Sequence, residues 1–205
     1  MYANHDSLSL GLVVTISELS RSSTPVYQML EDFKNHPSIV PLIKGAKVVE
    51  HSGHMVSEGG YRAVPEYVGD GCLIAGDAAM LCMNLGYMVR GMDLAVASGK
   101  MAAEAACEAI DKEDTSKGGL AIYKEKMEAS FVMQDLKTFQ KWPAFMDDWK
   151  RLFESYPSLA QEVFTSLFTV DGTAAKPLVK RLMPIIRRFG IMNLFKDVRG
   201  ALKAL

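Results

Sequence analysis

The chain has 205 residues, of which 49% are hydrophobic and 23% are charged. This composition suits one large or two small globular domains and argues against bulk disorder. No apolar run reaches about 18 residues and no basic stretch precedes an apolar run at the N-terminus, so we predict neither a transmembrane helix nor a signal peptide, and a cytoplasmic location.

The three cysteines, Cys72, Cys82 and Cys107, are widely spaced and odd in number. This usage argues against a disulfide framework. It is also too few for the Cys₄ ligand set of a [4Fe–4S] cluster. The chain therefore cannot hold such a cluster unaided.

The net charge is only −1, but residues 174–205 contain eight basic residues and one acid, a local charge of +7. Such asymmetry predicts a basic end that meets an anionic partner or surface. A solvated helix face is an equally good interpretation of the charge alone.

The first third of the chain predicts short strands and helices. Branched apolar residues dominate two segments, which we predict to be strands. Thr24 and Pro25 are typical of a helix N-cap and first position. In chain order, we predict a strand over residues 7–16, a helix over 24–35, a short helix over 38–44 ended by Gly45, a strand over 47–57 and a turn over 61–65.

The next segment has an apolar run between glycines, followed by a helix rich in small residues. Residues 72–75 predict a buried strand. A helix is predicted from Gly91 or Met92 to about Asp111. Its small residues recur at helical spacing and would let it lie close to neighbouring structure: Ala95, Gly99, Ala102, Ala103 and Ala106.

From residue 117 onward the pattern is helical throughout. We predict helices over residues 117–140, 144–155, 157–168, 175–188 and 190–203, with a kink at Pro184. The change from a mixed to a helical pattern predicts two domains, residues 1–113 and 114–205.

The Gly76-Asp77 pair and the helix after it suggest a ligand site. Gly76 has no Cβ, so its backbone can approach a ligand closely. The Asp77 carboxylate can accept hydrogen bonds from ligand hydroxyls. The helix that starts near Gly91 points unpaired N–H groups and a positive dipole end at whatever binds there, which would stabilise negative charge on that ligand.

Residues 69–105, GDGCLIAGDAAMLCMNLGYMVRGMDLAVASGKMAAEA, resemble the second FAD motif of glutathione-reductase-like flavoproteins. More narrowly, they resemble the electron-transfer-flavoprotein–quinone oxidoreductases and their FixC-type relatives, a branch related to geranylgeranyl reductases. The resemblance covers residues 2–110 and includes DSLSLGLVV, QMLEDFKNHP and EGGYRAVPE upstream. It implies an α+β chain that forms the C-terminal part of a glutathione-reductase-like FAD-binding fold, followed by a helical tail.

The resemblance also implies roles for individual residues. Asp77 would bind the ribityl chain of FAD, with Gly76 and Ala78 beside the pyrophosphate–ribityl region. Residues 84–86, including Asn84 and Gly86, would pass near the isoalloxazine. Gly91, Met92 and Asp93 would form the helix start at the flavin O2 edge. Asp93 also fits an ordinary dipole-stabilising acid, and Arg90 fits a surface or pyrophosphate-side position better than a catalytic one.

Two other candidate sites are weaker. His51 and His54 fall in a predicted strand, where positions three apart face opposite sides, so we predict no metal site. Cys82 lies in the flavin-like segment and could be redox-active, although a lone thiol more often serves packing. No catalytic residue is identified.

The Gly-x-Gly-x-x-Gly turn that binds the ADP half of FAD in this family does not occur in the sequence. Gly69 and Gly71 come closest, but Ile74 stands where the third glycine would be. We therefore expect a chain that is truncated or half of a split protein and that binds FAD weakly by itself.

The helical tail joins aromatic residues to a basic amphipathic end. One face carries Leu178, Leu182, Ile185, Ile186 and Phe189. Such a helix can lie on an anionic membrane surface, dock an acidic redox partner, or pack on its own domain with a solvated basic face. We expect no nucleic-acid partner.

The leading prediction is an FAD-dependent electron-transfer oxidoreductase. As the resemblance implies, it would accept electrons from electron transfer flavoprotein, pass them toward quinone and work with a separate ferredoxin-like protein. One alternative is a geranylgeranyl-reductase-like flavoenzyme, favoured by a hydrophobic tunnel at the flavin. Another is a non-catalytic module that needs a separate N-terminal partner.

Overall fold

The structure, a computed structural model, describes all of residues 1–205. It divides into two compact units, Met1–His54 and Met55–Leu205. Helices dominate, and the only strands form three two-residue antiparallel pairs. The arrangement is compatible with the predicted α+β class, whereas the glutathione-reductase-like fold stays a prediction.

The first unit contains a short strand pair and three helices. Strand β1 (Tyr2–Ala3) pairs with β2 (Leu8–Ser9), with Tyr2 opposite Ser9. The helices are α1 (Ile16–Leu19), α2 (Val26–Lys34) and α3 (Val40–Ile43). The predicted helices over residues 24–35 and 38–44 are confirmed within a few residues at their ends, and Gly45 follows α3 with a positive φ of 80°.

The two strand predictions in this part of the chain are wrong. Only Leu8–Ser9 pairs within residues 7–16, and residues 47–57 form no strand. Val48 and Val49 are 76% and 89% exposed, and no residue of the first unit is buried. Branched side chains favour a strand only where another strand takes up the backbone hydrogen bonds and a second layer covers the side chains.

The second unit begins with short elements. A 3₁₀ turn at Gly60–Ala63 precedes β3 (Val68–Gly69) and β4 (Cys72–Leu73), which pair in a hairpin. A second 3₁₀ turn, Gly76–Ala79, leads to the hairpin of β5 (Met83–Asn84) and β6 (Val89–Arg90). The prediction of a buried strand over residues 72–75 is wrong in extent and burial, because Cys72 is exposed at one edge of a two-stranded ribbon.

The long helix α4 (Met92–Asp111) follows and confirms the predicted helix. Seven helices complete the chain, whereas the helical pattern predicted five, because the ranges 117–140 and 144–155 each form two helices instead of one. They are α5 (Ala121–Ala129), α6 (Phe131–Thr138), α7 (Trp142–Asp148), α8 (Arg151–Glu154), α9 (Tyr156–Phe168), α10 (Leu178–Phe189) and α11 (Ile191–Ala204). Pro184 lies inside α10. The predicted domain division at residue 113 falls between α4 and α5, which pack together in the second unit, and it stays a prediction.

The core of the second unit lies where α4, α5 and α6 meet the short strands. Tyr123 is fully buried, packs edge-on against Tyr67 with ring centroids 5.5 Å apart, and donates a hydrogen bond from its hydroxyl to the Ile74 carbonyl at 3.1 Å. Burial, followed by the nearby charge of Glu128, raises the pKa of Tyr67 to about 12. The Tyr67 hydroxyl has no hydrogen-bond partner in the chain. This core packs against the Gly76–Ala79 turn.

An ion pair between Arg151 and Asp197, which we call the α11 anchor, joins α11 to the helices before it. Two nitrogens of the Arg151 guanidinium, on α8, donate to the two carboxylate oxygens of Asp197, on α11. The Tyr156 hydroxyl donates to the same carboxylate at 3.1 Å. The guanidinium lowers the pKa of Asp197, which is only 5% exposed. Gly200 lies directly against the Phe145 ring of α7. None of the helices is both long and apolar enough to cross a bilayer.

Candidate functional site

The Gly76–Ala79 turn is held against α4 by one serine. Gly76 has a φ of 62°, a left-handed conformation that favours glycine. Its N–H donates to the Ser98 hydroxyl at 3.0 Å, and that hydroxyl donates in turn to the Ala95 carbonyl at 3.0 Å. A Cβ on Gly76 would lie 3.4 Å from the Ala95 Cβ. The turn therefore sits at contact distance from the helix.

Asp77 is exposed on this turn, as is Ala78 beside it. The Asp77 backbone carbonyl accepts the Met80 N–H at 2.9 Å, and Met80 closes the turn with a φ of 57°. The Asp77 carboxylate takes no part in the hydrogen bonds or ion pairs of the chain. An exposed, unengaged carboxylate on a fixed turn can accept hydrogen bonds from ligand hydroxyls.

The N-terminus of α4 lies next to the same turn. Leu81 links the two, since its N–H donates to the Gly76 carbonyl at 3.4 Å and its own carbonyl would be 3.9 Å from a Cβ on Gly91. Gly91 is the N-cap and no side chain caps the helix. The first-turn N–H groups are thus unpaired within the chain, and Met92 beside them is 84% exposed.

Arg90 fixes the start of α4 rather than facing a ligand. It donates to Asp93 at 2.7 Å and 2.5 Å and to Asp135 of α6 at 2.6 Å, and its guanidinium carbon lies 5.7 Å from the centre of the Phe131 ring. These hydrogen bonds, with that to Asp93 first, raise the pKa of Arg90. The contacts favour the structural interpretation of Asp93.

Asn84 and Gly86 lie in the hairpin that precedes α4. The Asn84 side chain accepts the Gly86 N–H at 2.8 Å, and Gly86 has a φ of 83°. A Cβ on Gly86 would be 3.3 Å from Leu152 and 3.6 Å from Met146. The hairpin therefore packs on the helical tail, and the Asn84 carbonyl oxygen already has a partner within the chain.

Cys82 is buried in this segment, and burial raises the pKa of its thiol. A buried neutral thiol is a poor nucleophile, so the packing interpretation is favoured over the redox one. The sequence reasoning missed Ser98, the residue that fixes Gly76. The only sign of this role in the sequence is that Ser98 is the one hydroxyl residue among the small residues of α4.

These features fit the FAD group that the sequence implies. A carboxylate without a partner can meet the ribityl hydroxyls, and an uncapped helix start can meet a negatively charged ring edge. Exposed apolar side chains nearby in the chain, Tyr87 at 79% and Met92 at 84%, offer surface to an aromatic ring. The predicted site residues remain predictions. The structure brings Gly76 and Gly91 close together through Leu81, and Asp77 and Met92 follow them directly in the chain.

Comparison with known proteins gives one family. Residues 142–205 match the model of the ETF-QO/FixC family C-terminal domain. The chain is 46% identical over 202 residues to the probable electron transfer flavoprotein-quinone oxidoreductase YdiS of Escherichia coli K12, covering 98% of this chain and 47% of that protein.

Protein FixC from two organisms shows the same relationship. The FixC of Escherichia coli K12 is 47% identical over 197 residues, which are 96% of this chain and 46% of that protein. The FixC of Azorhizobium caulinodans is 37% identical over 191 residues, 92% of this chain and 43% of that protein. The chain spans about half the length of these curated relatives. Nearly the whole chain is thus similar to about half of each of these proteins, and residues 142–205 match the C-terminal domain of the ETF-QO/FixC family.

Proposed function

We propose that the chain forms the flavin-contacting part of an FAD-dependent electron-transfer oxidoreductase. The observation that carries this proposal is the exposed Asp77 carboxylate, which has no partner in the chain and lies on a turn fixed beside the uncapped start of α4. The similarity to FixC and to a probable electron transfer flavoprotein-quinone oxidoreductase supports it.

Different residues would bind different parts of the cofactor. Asp77 would accept hydrogen bonds from the ribityl hydroxyls, with Gly76 and Ala78 leaving room for the chain of the ligand. The first-turn N–H groups of α4, at Met92 and Asp93, would stabilise negative charge at the ring edge without a cationic side chain. Ser98 and Arg90 would position these two groups. The bound flavin would supply the electron-accepting chemistry.

The name of one relative supports a proposal for the electron donor and acceptor. YdiS is named for electron transfer flavoprotein and quinone, and we propose the same two classes of partner for this chain. The three cysteines are too few for a [4Fe–4S] cluster, so a separate ferredoxin-like protein would carry one where it is needed. We propose a cytoplasmic location for the assembly.

FAD titration of the purified chain tests the cofactor site. We expect Asp77→Asn to weaken FAD binding about tenfold, because it removes a charge-assisted hydrogen-bond acceptor. The control is Asp111→Asn, which neutralises an exposed acid at the far end of α4 and should leave binding unchanged. Equal affinities for the chain and both variants would count against Asp77 as a ligand. Absorption and isothermal titration report the binding.

A second candidate, a module that functions only with a separate dinucleotide-binding segment, is favoured by the outward face of α4. This face carries exposed apolar and small residues over the whole length of the helix, and we call it the α4 stripe: Met92, Val96, Gly99, Ala103, Cys107 and Ile110. Nothing in the chain comes within 4 Å of a Cβ on Gly99. Small residues would let another layer of structure approach closely.

Co-expression tests this second candidate. The chain would be produced with the part of Escherichia coli FixC that it does not match, which is about half of that protein. We expect the two pieces to co-purify and to retain flavin, and Val96→Lys with Ala103→Lys to abolish both. The control, Lys100→Glu with Lys112→Glu, changes two exposed charges outside the stripe, one on α4 and one just after it, and should preserve the complex. A complex that forms equally well with the stripe variant would refute this docking surface.

A further inference from the structure

Five aromatic rings form a continuous row through the helical tail. We call this row the aromatic path, and its members in order are Trp142, Phe145, Trp149, Tyr156 and Phe189. The centroids of successive rings lie 5.4, 5.0, 5.4 and 5.0 Å apart, which is the usual range for aromatic side chains in contact. The first ring is buried in the core and the other four are half-buried.

The aromatic path is joined to the hairpin that precedes α4. Met146 and Leu152 lie against Gly86 of this hairpin. Both residues are also bound to Trp149, whose N–H donates to the Met146 carbonyl at 3.0 Å and whose carbonyl accepts the Leu152 N–H at 3.0 Å. Trp149 is therefore two contacts away from the hairpin that the sequence resemblance assigns to the isoalloxazine.

The polar atoms along the path differ in their hydrogen bonding. The indole nitrogens of Trp142 and Trp149 are buried without a partner in the chain, although buried indole N–H groups usually find one. The Tyr156 hydroxyl does have a partner, since it donates to the Asp197 carboxylate at 3.1 Å. Trp149 faces the same carboxylate and helps to lower its pKa, after Arg151, but completes no hydrogen bond.

This difference gives one-electron chemistry a direction along the path. A tyrosine is more easily oxidised when a base accepts its hydroxyl proton, because the radical cation of tyrosine is a very strong acid. An oxidised tryptophan without a hydrogen-bonded base keeps its N–H proton and remains a strong oxidant. An electron vacancy on Trp149 is therefore filled from Tyr156, whose ring lies 5.4 Å away and whose proton has an acceptor.

We propose that the aromatic path carries a one-electron oxidation from its tryptophans to Tyr156, with Asp197 as the proton acceptor. The oxidant is a diffusible one-electron oxidising radical, which takes an electron from Trp149, or from Trp142 across the Phe145 ring. Tyr156 then returns one electron to the tryptophan and gives its proton to the carboxylate. The tryptophan is restored, the tyrosine becomes a neutral phenoxyl radical and Asp197 becomes a neutral acid.

Such a transfer would draw oxidising equivalents away from the candidate flavin site. The proposal rests on the proposed function only for this benefit, because the hairpin at Gly86 is the predicted neighbour of the flavin ring. The transfer itself needs the side chains of the path and the Asp197 carboxylate alone. It can therefore be measured on the chain without flavin, and its failure would leave the proposed function standing.

Pulse radiolysis tests the proposal directly. Azide radicals, which oxidise tryptophan selectively, would be generated in a solution of the 205-residue chain. We expect the absorption of the indolyl radical to decay while that of the phenoxyl radical rises, at a rate independent of protein concentration. The transfer should be slower in D₂O because a proton moves with the electron. Tyr156→Phe should abolish it, since this variant keeps the ring but lacks the hydroxyl.

Two other tyrosines serve as matched controls. Tyr67→Phe alters a buried tyrosine outside the path, and Tyr87→Phe alters an exposed one on the hairpin. Both variants should keep the transfer. Trp149→Phe should leave an indolyl radical on Trp142 without a rapid outlet, and Asp197→Asn should slow the transfer because an amide is a poorer proton acceptor. Thermal unfolding would show which variants fold, and the isotope effect probes the proton step in the parent chain.

Three outcomes would overturn the proposal. The first is decay of the indolyl radical with no rise of phenoxyl absorption. The second is a transfer that persists in Tyr156→Phe or disappears in either control variant, because another tyrosine would then be the end of the path. The third is a rate that is the same in H₂O and D₂O, because no proton would then move to Asp197 with the electron.

Discussion

Helices α4 and α11 present apolar stripes to solvent but differ in the charges beside them. On α4 the neighbouring charges are mixed and paired, since Lys126 of α5 binds Glu104 at 3.3 Å and Glu108 at 3.1 Å. On α11, Lys196, Arg199 and Lys203 lie beside a row of exposed apolar residues that includes Phe195 and Leu202, and none of the three basic residues pairs with an acid. A neutral stripe suits another protein layer, whereas a basic one suits an anionic surface. The charge beside an apolar stripe thus indicates which partner would cover it.

The two helices also differ in how their inner faces are fixed. A neutral hydrogen bond from the Gly76 N–H to the Ser98 hydroxyl, which we call the α4 anchor, joins α4 to the candidate flavin turn. A largely buried ion pair, the α11 anchor, joins α11 to α8. Losing one member of a buried ion pair costs more than losing a neutral hydrogen bond. Mutations at the two anchors should therefore change the free energy of unfolding by different amounts.

The largest effect is expected at the α11 anchor. Asp197→Ala should lower the free energy of unfolding by about 3 kcal/mol, near the lower limit for a broken buried ion pair because the Arg151 side chain remains 35% exposed. Asp147→Ala, on the exposed surface of α7, should change it by less than about 0.5 kcal/mol. Urea unfolding measures both, and similar values for the two variants would contradict the assignment of an anchor.

Replacing a glycine with alanine should have opposite effects on stability in the two helices. Gly200→Ala should destabilise the chain by about 1 to 2 kcal/mol, because the new Cβ would meet the Phe145 ring at 2.6 Å. Gly99→Ala should stabilise it by about 0.5 to 1 kcal/mol, because its Cβ would enter open space and alanine favours a helix. Stabilisation by both variants in thermal melts would show that Phe145 moves aside.

A smaller effect is expected at the α4 anchor. Ser98→Ala should cost about 1 kcal/mol, since it leaves the Gly76 N–H without its partner. It should also weaken FAD binding, because the turn that carries Asp77 loses its support. Ser116→Ala, a change outside the candidate site, serves as the control for affinity. An unchanged affinity in Ser98→Ala would mean that the turn keeps its shape without the serine.

The smallest effect is a dependence on pH at the α11 anchor. The Arg151 guanidinium lowers the pKa of Asp197 below its unfolded value of about 4. The stabilisation is therefore fully present above about pH 5 and is lost as the pH falls through the folded pKa. The gap in melting temperature between the parent chain and Asp197→Asn should narrow from pH 6 toward pH 3. A constant gap would argue against this linkage.

The helices and the family were predictable from the sequence because their signals are local. Small residues over 92–111 and apolar periodicity after residue 117 specify helices through contacts between near neighbours, and the run around Gly76 and Asp77 identifies the family. The strands were not predictable in this way, since the apolar residues of 7–16 and 47–57 pair only where a partner strand is available.

Tertiary structure alone decided which faces are covered. The sequence shows an amphipathic pattern in α10 and α11, but not that Asp197 turns inward to Arg151 or that Phe195 and Leu202 turn outward. It shows Asp77 beside Gly76, but not that Ser98, on a helix that begins fifteen residues after Asp77, holds the turn. The sequence by itself determined helix content and family, because periodicity and motif are local. The fold decided which groups remain without partners, because that depends on residues far apart in the chain.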